Sequence, residues 1–403
     1  MKNTSGSFIF GLKNFLSFGL RYFMSILRFV TVFWRVFFIV NFLVFNCCFS
    51  YGQQGGSVIL SGTVTDDRTG KPLPFANVFI NNSTIGTTAD ENGKYRLPNL
   101  QIGTLDIGVS FLGYETIRQT LRFEQPGMKS VLFKLKEGSE LKGVTIYARK
   151  NKRREKYLKI ISRELLGNSP FSKFCSIKNT EVLRISMGDD GHLSAQTTAP
   201  LIIENNALGY RIFQDLDDFD FFEGKVYYGG STRFELLAPK DNTQKALWRA
   251  NQKIAYKGSL KHLLASMVAD SLIEQGFKVY QVIPDSLRRF NSVRNVNGYN
   301  MLSNHLHNRI EAIRGARLVQ PGPLVTERLI VSGTQLEVFN VNKRGRSPYN
   351  DMGFAYTQIT MPQGYIVVTP QGWVVMPMGF EIAGDLGNDR FSSLLPADWK
   401  RDD

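Results

Sequence analysis

Catalytic or metal-binding chemistry would most readily fall to the four histidines, His192, His262, His305 and His307. A peptide-cleaving zinc site needs His-x-x-Glu with a distant His, or His-Glu-x-x-His, so that three protein ligands leave one position open for water. Three residues after these histidines stand Ala195, Ala265, Asn308 and Ile310, and neither pattern occurs. His305-x-His307 could present two imidazoles from one face of a strand, but not from a helix. Without neighbouring ligands it reads as a polar loop. Asp215, Asp217, Asp218, Asp220 and Glu223 could supply oxygen ligands to calcium. Their interleaving with Leu216, Phe219, Phe221 and Phe222 reads instead as a strand with one solvated face. Asp90-x-Asn92-Gly93 lacks the later bidentate Glu of a calcium loop and reads as a turn. Gly108-Val-Ser110-Phe-Leu112 misses the final glycine of a serine-nucleophile elbow. No Gly-x4-Gly-Lys-Ser/Thr or Gly-x-Gly-x-x-Gly phosphate loop is present. Cys175 carries no nucleophile signature and is expected to be buried and inert. The basic loop Lys343-Arg344-Gly345-Arg346 could meet lipid phosphate, or be a solvated turn. The sequence therefore offers no catalytic, cofactor-binding or metal-ligating residue, and the chain is expected not to be an enzyme.

The elements that would position any site begin with residues 57–150. Leu105, Ile107, Val109 and Phe111 alternate with Thr104, Asp106, Gly108 and Ser110. Val131, Phe133 and Leu135 do the same, as do Ala76, Val78 and Ile80 around Asn77 and Phe79. This is the period of half-buried strands. Asp66–Gly70, Asn81-Asn82-Ser83 and Asp90–Gly93 are turn signals between them. Short strands at this spacing predict an antiparallel sandwich.

The order of these motifs is more specific. Gly62-Thr-Val64-Thr-Asp66, Gly70-Lys-Pro72-Leu-Pro74-Phe-Ala76-Asn-Val78, Gly86-Thr-Thr88, Asp90-Glu-Asn-Gly93-Lys-Tyr95 and Phe111-Leu-Gly113-Tyr114 resemble the carboxypeptidase-regulatory-like domain. Glu140–Ala148 looks like the exit segment that follows this domain when it precedes the plug of an outer-membrane receptor. The resemblance covers roughly 90 residues. It implies a transthyretin-like sandwich of about seven strands, exported across the inner membrane, and it implies no peptidase activity.

Residues 164–403 predict an α+β domain with mainly antiparallel strands and two central helices. Val182–Ile185, Leu201–Ile203, Tyr210–Phe213, Val226–Tyr228 and Phe277–Ile283 read as strands. Tyr256-Lys257-Gly258 breaks one helix and Ser259 caps the next. In that second helix Leu260, Leu263, Leu264, Met267, Val268 and Leu272 form an apolar stripe ended by Gly276, with Lys261 and His262 on the polar face. A short helix is expected around Asn308–Ala316. Val325–Val331 and Gln335–Val341 look like paired strands, and Thr369-Pro370-Gln371-Gly372 joins Tyr365–Val368 to Trp373–Met376 as a hairpin. Pro200–Tyr210, Trp248–Ser259 and Leu395–Trp399 resemble the rear half of uncharacterised envelope proteins that carry the same front domain.

The formal charge of +14 is concentrated. Residues 1–52 carry +5 and the segment 149–163 carries +7. The segment 148–163 reads as a basic linker, a solvated hinge that could also meet an anionic membrane surface, and a short helix begun in it is ended by Ser169-Pro170. Nothing beyond charge suggests nucleic acid. Residues 1–52 read as a signal peptide, with a basic start and the apolar run Val36–Tyr51. An uncleaved anchor is the alternative, and Met24 would also make a conventional start. Of three cysteines, Cys47 and Cys48 fall in this leader, Cys47 behind a poor lipobox, so no disulfide is expected in the mature chain. The domain order is then 1–52 leader, 53–147 sandwich, 148–163 linker and 164–403 second domain. Together these features predict a non-enzymatic protein of the periplasm or outer membrane. Its sandwich serves interaction or spacing, and its second domain binds another envelope protein or an envelope ligand. Two alternatives are an accessory of TonB-type outer-membrane uptake, and a hydrolase with an unrecognised site in residues 164–403.

Overall fold

The computed structural model describes residues 57–138, 152–282, 313–345, 353–375 and 380–401. The leader, the exit segment Glu140–Ala148, the pair His305 and His307, and Arg346 lie outside the described residues.

The expected sandwich is present. One sheet holds β4 (Lys94–Leu100), β1 (Val58–Asp66) and β7 (Gly127–Leu135), with β1 and β7 parallel. The other runs β3 (Gly86–Thr88), β2 (Asn77–Ile80), β5 (Gly103–Ser110), β6 (Ile117–Phe123), all antiparallel. Alternation in the sequence becomes two faces: Leu60, Val64, Val78, Ile107, Val109, Phe133 and Leu135 meet in one core. Gly93 has φ of +71°, and a Cβ there would stand 2.6 Å from the Val64 carbonyl, so this turn requires glycine. Asp90 completes the turn by accepting from the Asn92 and Lys94 amides. Asp66 accepts from the Thr69 amide and hydroxyl and from the Tyr114 hydroxyl at 2.8 Å. Those bonds, Thr69's first, draw its carboxyl down to about 2. Two residues of the quoted motifs, 48 positions apart, thus hold each other.

The second domain is mostly β. A six-stranded antiparallel sheet holds β8 (Cys175–Ile177), β9 (Leu183–Met187), β10 (Leu193–Thr197), β11 (Leu201–Asn205), β12 (Tyr210–Phe222) and β13 (Lys225–Leu236), with β12 and β13 forming its long hairpin. Helix α1 (Lys152–Leu166) packs on it through Ile161 and Leu165. The helix expected to begin in the basic linker is thus present, but residues 152–163, expected as solvated, form the first turns of a core helix. Most of their charges occupy one side, while Leu158, Ile161 and Leu165 make an apolar stripe on the other, beside which Arg154 donates to the carbonyls of Thr180 and Leu183.

Helices α2 (Asn242–Tyr256) and α3 (Leu260–Val268) are the two expected central helices. Ser259 caps α3 by accepting from the His262 amide at 3.2 Å. The helix stops at Val268 rather than continuing to Gly276, and Leu272 reaches the third core from the turn between them. Lys261 and His262, expected on a polar face, are both buried.

A four-stranded sheet follows, in the order β14 (Phe277–Gln281), β17 (Leu336–Arg344), β18 (Phe354–Thr360), β20 (Glu381–Gly384). After the single-turn helix α4 (Gly315–Leu318), β15 (Val319–Pro321), β16 (Arg328–Val331) and β19 (Tyr365–Val368) make a three-stranded one. In the described part of the expected 308–316 helix, only its end at Gly315 is helical. The expected pairing of 325–331 with 335–341 does not occur: β16 lies between β15 and β19, and β17 between β14 and β18. Leu336–Asn340 is buried at every position, which marks a central strand with partners on both sides. The 369–372 turn forms as expected, with the Thr369 amide on the Trp373 carbonyl, although its return arm is a single bridge, Val368 to Val374.

The three phrases quoted from the second domain converge. Trp248 Nε1 donates to the Asn206 carbonyl, Gln252 Nε2 to the Leu208 carbonyl, and Trp399 Nε1 to Gln252. Gly209 has φ of +77°, and a Cβ there would stand 2.4 Å from the Trp248 ring. Lys261 Nζ donates to the carbonyls of Pro396, Ala397 and Trp399 at 2.9–3.1 Å.

Candidate functional site

Val78 and Ile80 point into the sandwich core, so Phe79 must point out of it. It is nevertheless only 2% exposed. Its strand neighbours explain how the ring lies down: Phe79 pairs with Gly86 on one side and Gly108 on the other. A Cβ on Gly108 would stand 2.5 Å from the ring. The second domain covers the rest, with the Arg233 guanidinium 5.9 Å from the Phe79 ring centre and 4.0 Å from that of Phe213.

The turn after β2 fastens this contact. Asn81 donates to Asp106 at 2.8 Å and accepts the Thr232 amide at 2.7 Å. Asn82, at φ of +59°, donates its amide to the Thr232 carbonyl and accepts the Ala397 amide. The Ser83 carbonyl accepts the Phe234 amide, and Thr84 donates its amide and hydroxyl to Asp398. A segment that reads as a plain turn is therefore the joint between the domains. Further along the same sheet, Arg118 donates to the Gly230 carbonyl, Arg122 to that of Pro323, and the Thr104 amide to buried Glu327. Gly56–Asp403 forms one contact unit.

Beside this joint the two domains part and leave a cleft of about 180 Å³. Asn77, Thr84, Thr87 and Thr88 line one wall, and Arg233 and Glu235 of β13 the other. Arg233 pairs with Glu235, and its side chain is 18% exposed. The cleft offers the Asn77 amide, the Thr88 hydroxyl and a pre-set charge pair, which is chemistry for holding a polar ligand. None of its lining side chains pairs a nucleophile with a base.

The residues named from sequence fall elsewhere. Asp215, Asp217, Asp218 and Asp220 lie along β12 as expected, with Glu223 in the turn after it, but a bulge between Leu216 and Asp218 breaks the alternation. Asp215 accepts from Ser231, and burial pushes its carboxyl up, as it does that of Asp217. Asp220 instead joins His192, whose Nδ1 lies 2.8 Å from Oδ1 while its ring stacks on Phe222 at 4.2 Å. That bond raises the imidazole pKa, and Asp190 adds to it. His262 is the reverse case. Burial lowers it, its Nδ1 accepts the Gly258 amide and its Nε2 faces Gln275. Among the described residues no three His, Cys, Asp or Glu side chains gather as for a metal. Cys175 is half-buried, and burial pushes its thiol up to about 12. Lys343 ends β17 against Asp389 at 3.4 Å. Among the described residues no helix is long and apolar enough to cross a membrane. Arg233, Glu235 and Asp398 carried no sequence signal of a site.

Residues 60–146 match the CarboxypepD_reg-like domain family. No curated protein matches the chain. Solved structures with a local likeness include a candidate carbohydrate-binding protein of Bacteroides uniformis, 9% identical, covering 45% of this chain and 100% of that one at a TM-score of 0.18. A candidate membrane-associated protein of unknown function from Bacteroides fragilis is 11% identical, with 44% and 95% covered and a TM-score of 0.17. The 3-chlorocatechol 1,2-dioxygenase of Rhodococcus opacus is 16% identical over 21% of this chain, at a TM-score of 0.18, and this chain spans 62% of its length.

Proposed function

We propose that this chain is a non-enzymatic binding protein of the cell envelope and that its ligand occupies the cleft between β3 and β13. The cleft carries the reading: it lies where two domains meet, which is where ligand sites concentrate, and its walls are polar. At about 180 Å³ it is smaller than the roughly 300–1,000 Å³ of pockets that enclose a drug-sized molecule, so it suits a short segment or a single polar group. The leader pattern and the CarboxypepD_reg-like domain support an exported location, periplasmic or on the outer membrane.

A photoreactive residue placed at Thr88, which shares the outward face of the sheet with Asn77, tests the reading in the full chain, in the cells that make it. We expect a crosslinked adduct from Thr88 and none from exposed Lys253 on α2. Adducts of equal yield from both positions, or none from Thr88, would sink it.

A further inference from the structure

We infer that the cleft takes its ligand as an extended peptide strand added to the free edge of β3; this rests on the cleft being the binding place. The register between β2 and β3 fixes which backbone groups face outward. The Ile80 amide donates to the Ile85 carbonyl at 2.9 Å and the Ala89 amide to the Ala76 carbonyl at 2.8 Å. Hydrogen-bonded pairs alternate along an antiparallel ladder, so Val78 and Thr87, two residues from each, form the bonded pair between them. Gly86 and Thr88 then turn their N–H and C=O groups away from β2. Both residues are exposed, and β3 pairs with β2 alone among the described strands. Four main-chain groups thus stand in a row on the cleft wall, spaced for one strand.

A three-residue edge is by itself a common way for a sheet to discourage pairing. The opposite wall makes this edge different. The Thr232 amide and carbonyl and the Phe234 amide bond to Asn81, Asn82 and Ser83, so that side of β13 faces the sandwich. By the same alternation the Phe234 carbonyl faces the sandwich too. Ser83 and Arg233 already form a parallel bridge. An added strand would extend the contact that this bridge begins. Arg233 and Glu235 offer a donor and an acceptor to a polar side chain on it. Main-chain bonds would give the affinity and this charged pair the choice of side chain.

The test uses the full chain against a phage-displayed library of random dodecapeptides, with a glycan array beside it. Selected peptides should slow amide exchange at Gly86 and Thr88. Thr88→Pro removes only a donor that faces away from β2, so it should weaken these peptides roughly tenfold, whereas Thr88→Val should stay within about twofold. Should Thr88→Pro fail to fold, N-methylation of alternate peptide bonds replaces it, and only one alternating set should abolish binding. Peptides indifferent to Thr88→Pro and to N-methylation would overturn the inference. So would a cleft that selects glycans and no peptide. An adduct from the Thr88 probe together with either of those results leaves the cleft as the binding place and removes the strand alone.

Discussion

Thr84 gives both its amide and its hydroxyl to the carboxylate of Asp398, 314 residues further along the chain. The next residue but one toward the N-terminus, Asn82, accepts the amide of Ala397. The end of the chain therefore clasps the first domain at the turn that borders the cleft.

Asp398→Ala should loosen this clasp. Two hydrogen bonds to a charged acceptor are lost and the Thr84 donors are left without it, so a loss of about 2 kcal/mol is expected. The urea midpoint should fall with little change in slope, and the 389–401 segment should become sensitive to protease. An unchanged midpoint with unchanged proteolysis would remove Asp398 from the joint.

Gly108→Val should be costly although Gly108 sits in the middle of a strand, where β-branched residues normally fit. The new Cβ would stand 2.5–2.6 Å from carbons of the Phe79 ring. The ring must lift toward Arg233 or the strand must bend, at about 1–3 kcal/mol. Urea unfolding of Gly108→Val, and of the double variant with Phe79→Ala, checks this. If the glycine exists to seat the ring, its substitution should cost less once the ring is gone.

The sandwich was legible because its signals are local. Alternation in 104–111 and 131–135 and the turn at Asp90–Gly93 describe residues that touch within a few positions of each other. Phe79 was legible as an outward residue, but what covers it comes from β13, so the sequence around it could not report its burial. The same holds for Asn81–Thr84, whose residue types mark a turn whether the turn meets water or another domain. Lys261 and His262 misled for a related reason. A helical stripe tells which residues face the nearest core, while these two are buried by the chain terminus and by Gln275. The lining of the cleft had no signal, because Thr, Arg and Glu on strands are ordinary surface residues until two walls face each other.

His192 should titrate above its ordinary value of 6.5, because Asp220 holds the protonated ring and Asp190 reinforces it, against a smaller opposing effect of burial. A folded-state pKa above the unfolded one means that this contact contributes stability in full below about pH 6.5 and loses it as pH rises through the folded value. Two-dimensional NMR of the ring protons should place the His192 midpoint above 6.5 and lower it in Asp220→Asn. A midpoint that does not move on that substitution would show that Asp220 is not the cause.

Lys261 should give the opposite pH dependence. The residue is 9% exposed, and its ammonium donates to three carbonyls and lies 5.6 Å from the Trp399 ring centre. Burial draws it down from 10.5 to about 8, with the Asp398 carboxylate resisting. Between about 8 and 10.5 the unfolded chain still holds this proton while the folded chain has released it. More protons bound to the unfolded state means that stability rises with pH across that window, and below it the burial cost stands in full. Lys261→Met removes the charge but leaves the carbonyls of Pro396, Ala397 and Trp399 without their donor, a loss of about 2 kcal/mol at pH 7. From pH 7 to pH 10 the wild-type chain should gain on the order of 2 kcal/mol over the variant, because groups common to both cancel. Urea midpoints of the pair at pH 7, 8, 9 and 10 measure the gap. A gap that stays constant, or narrows, would mean that the proton on Lys261 is held equally in both states and that the three carbonyls fully replace the water it lost.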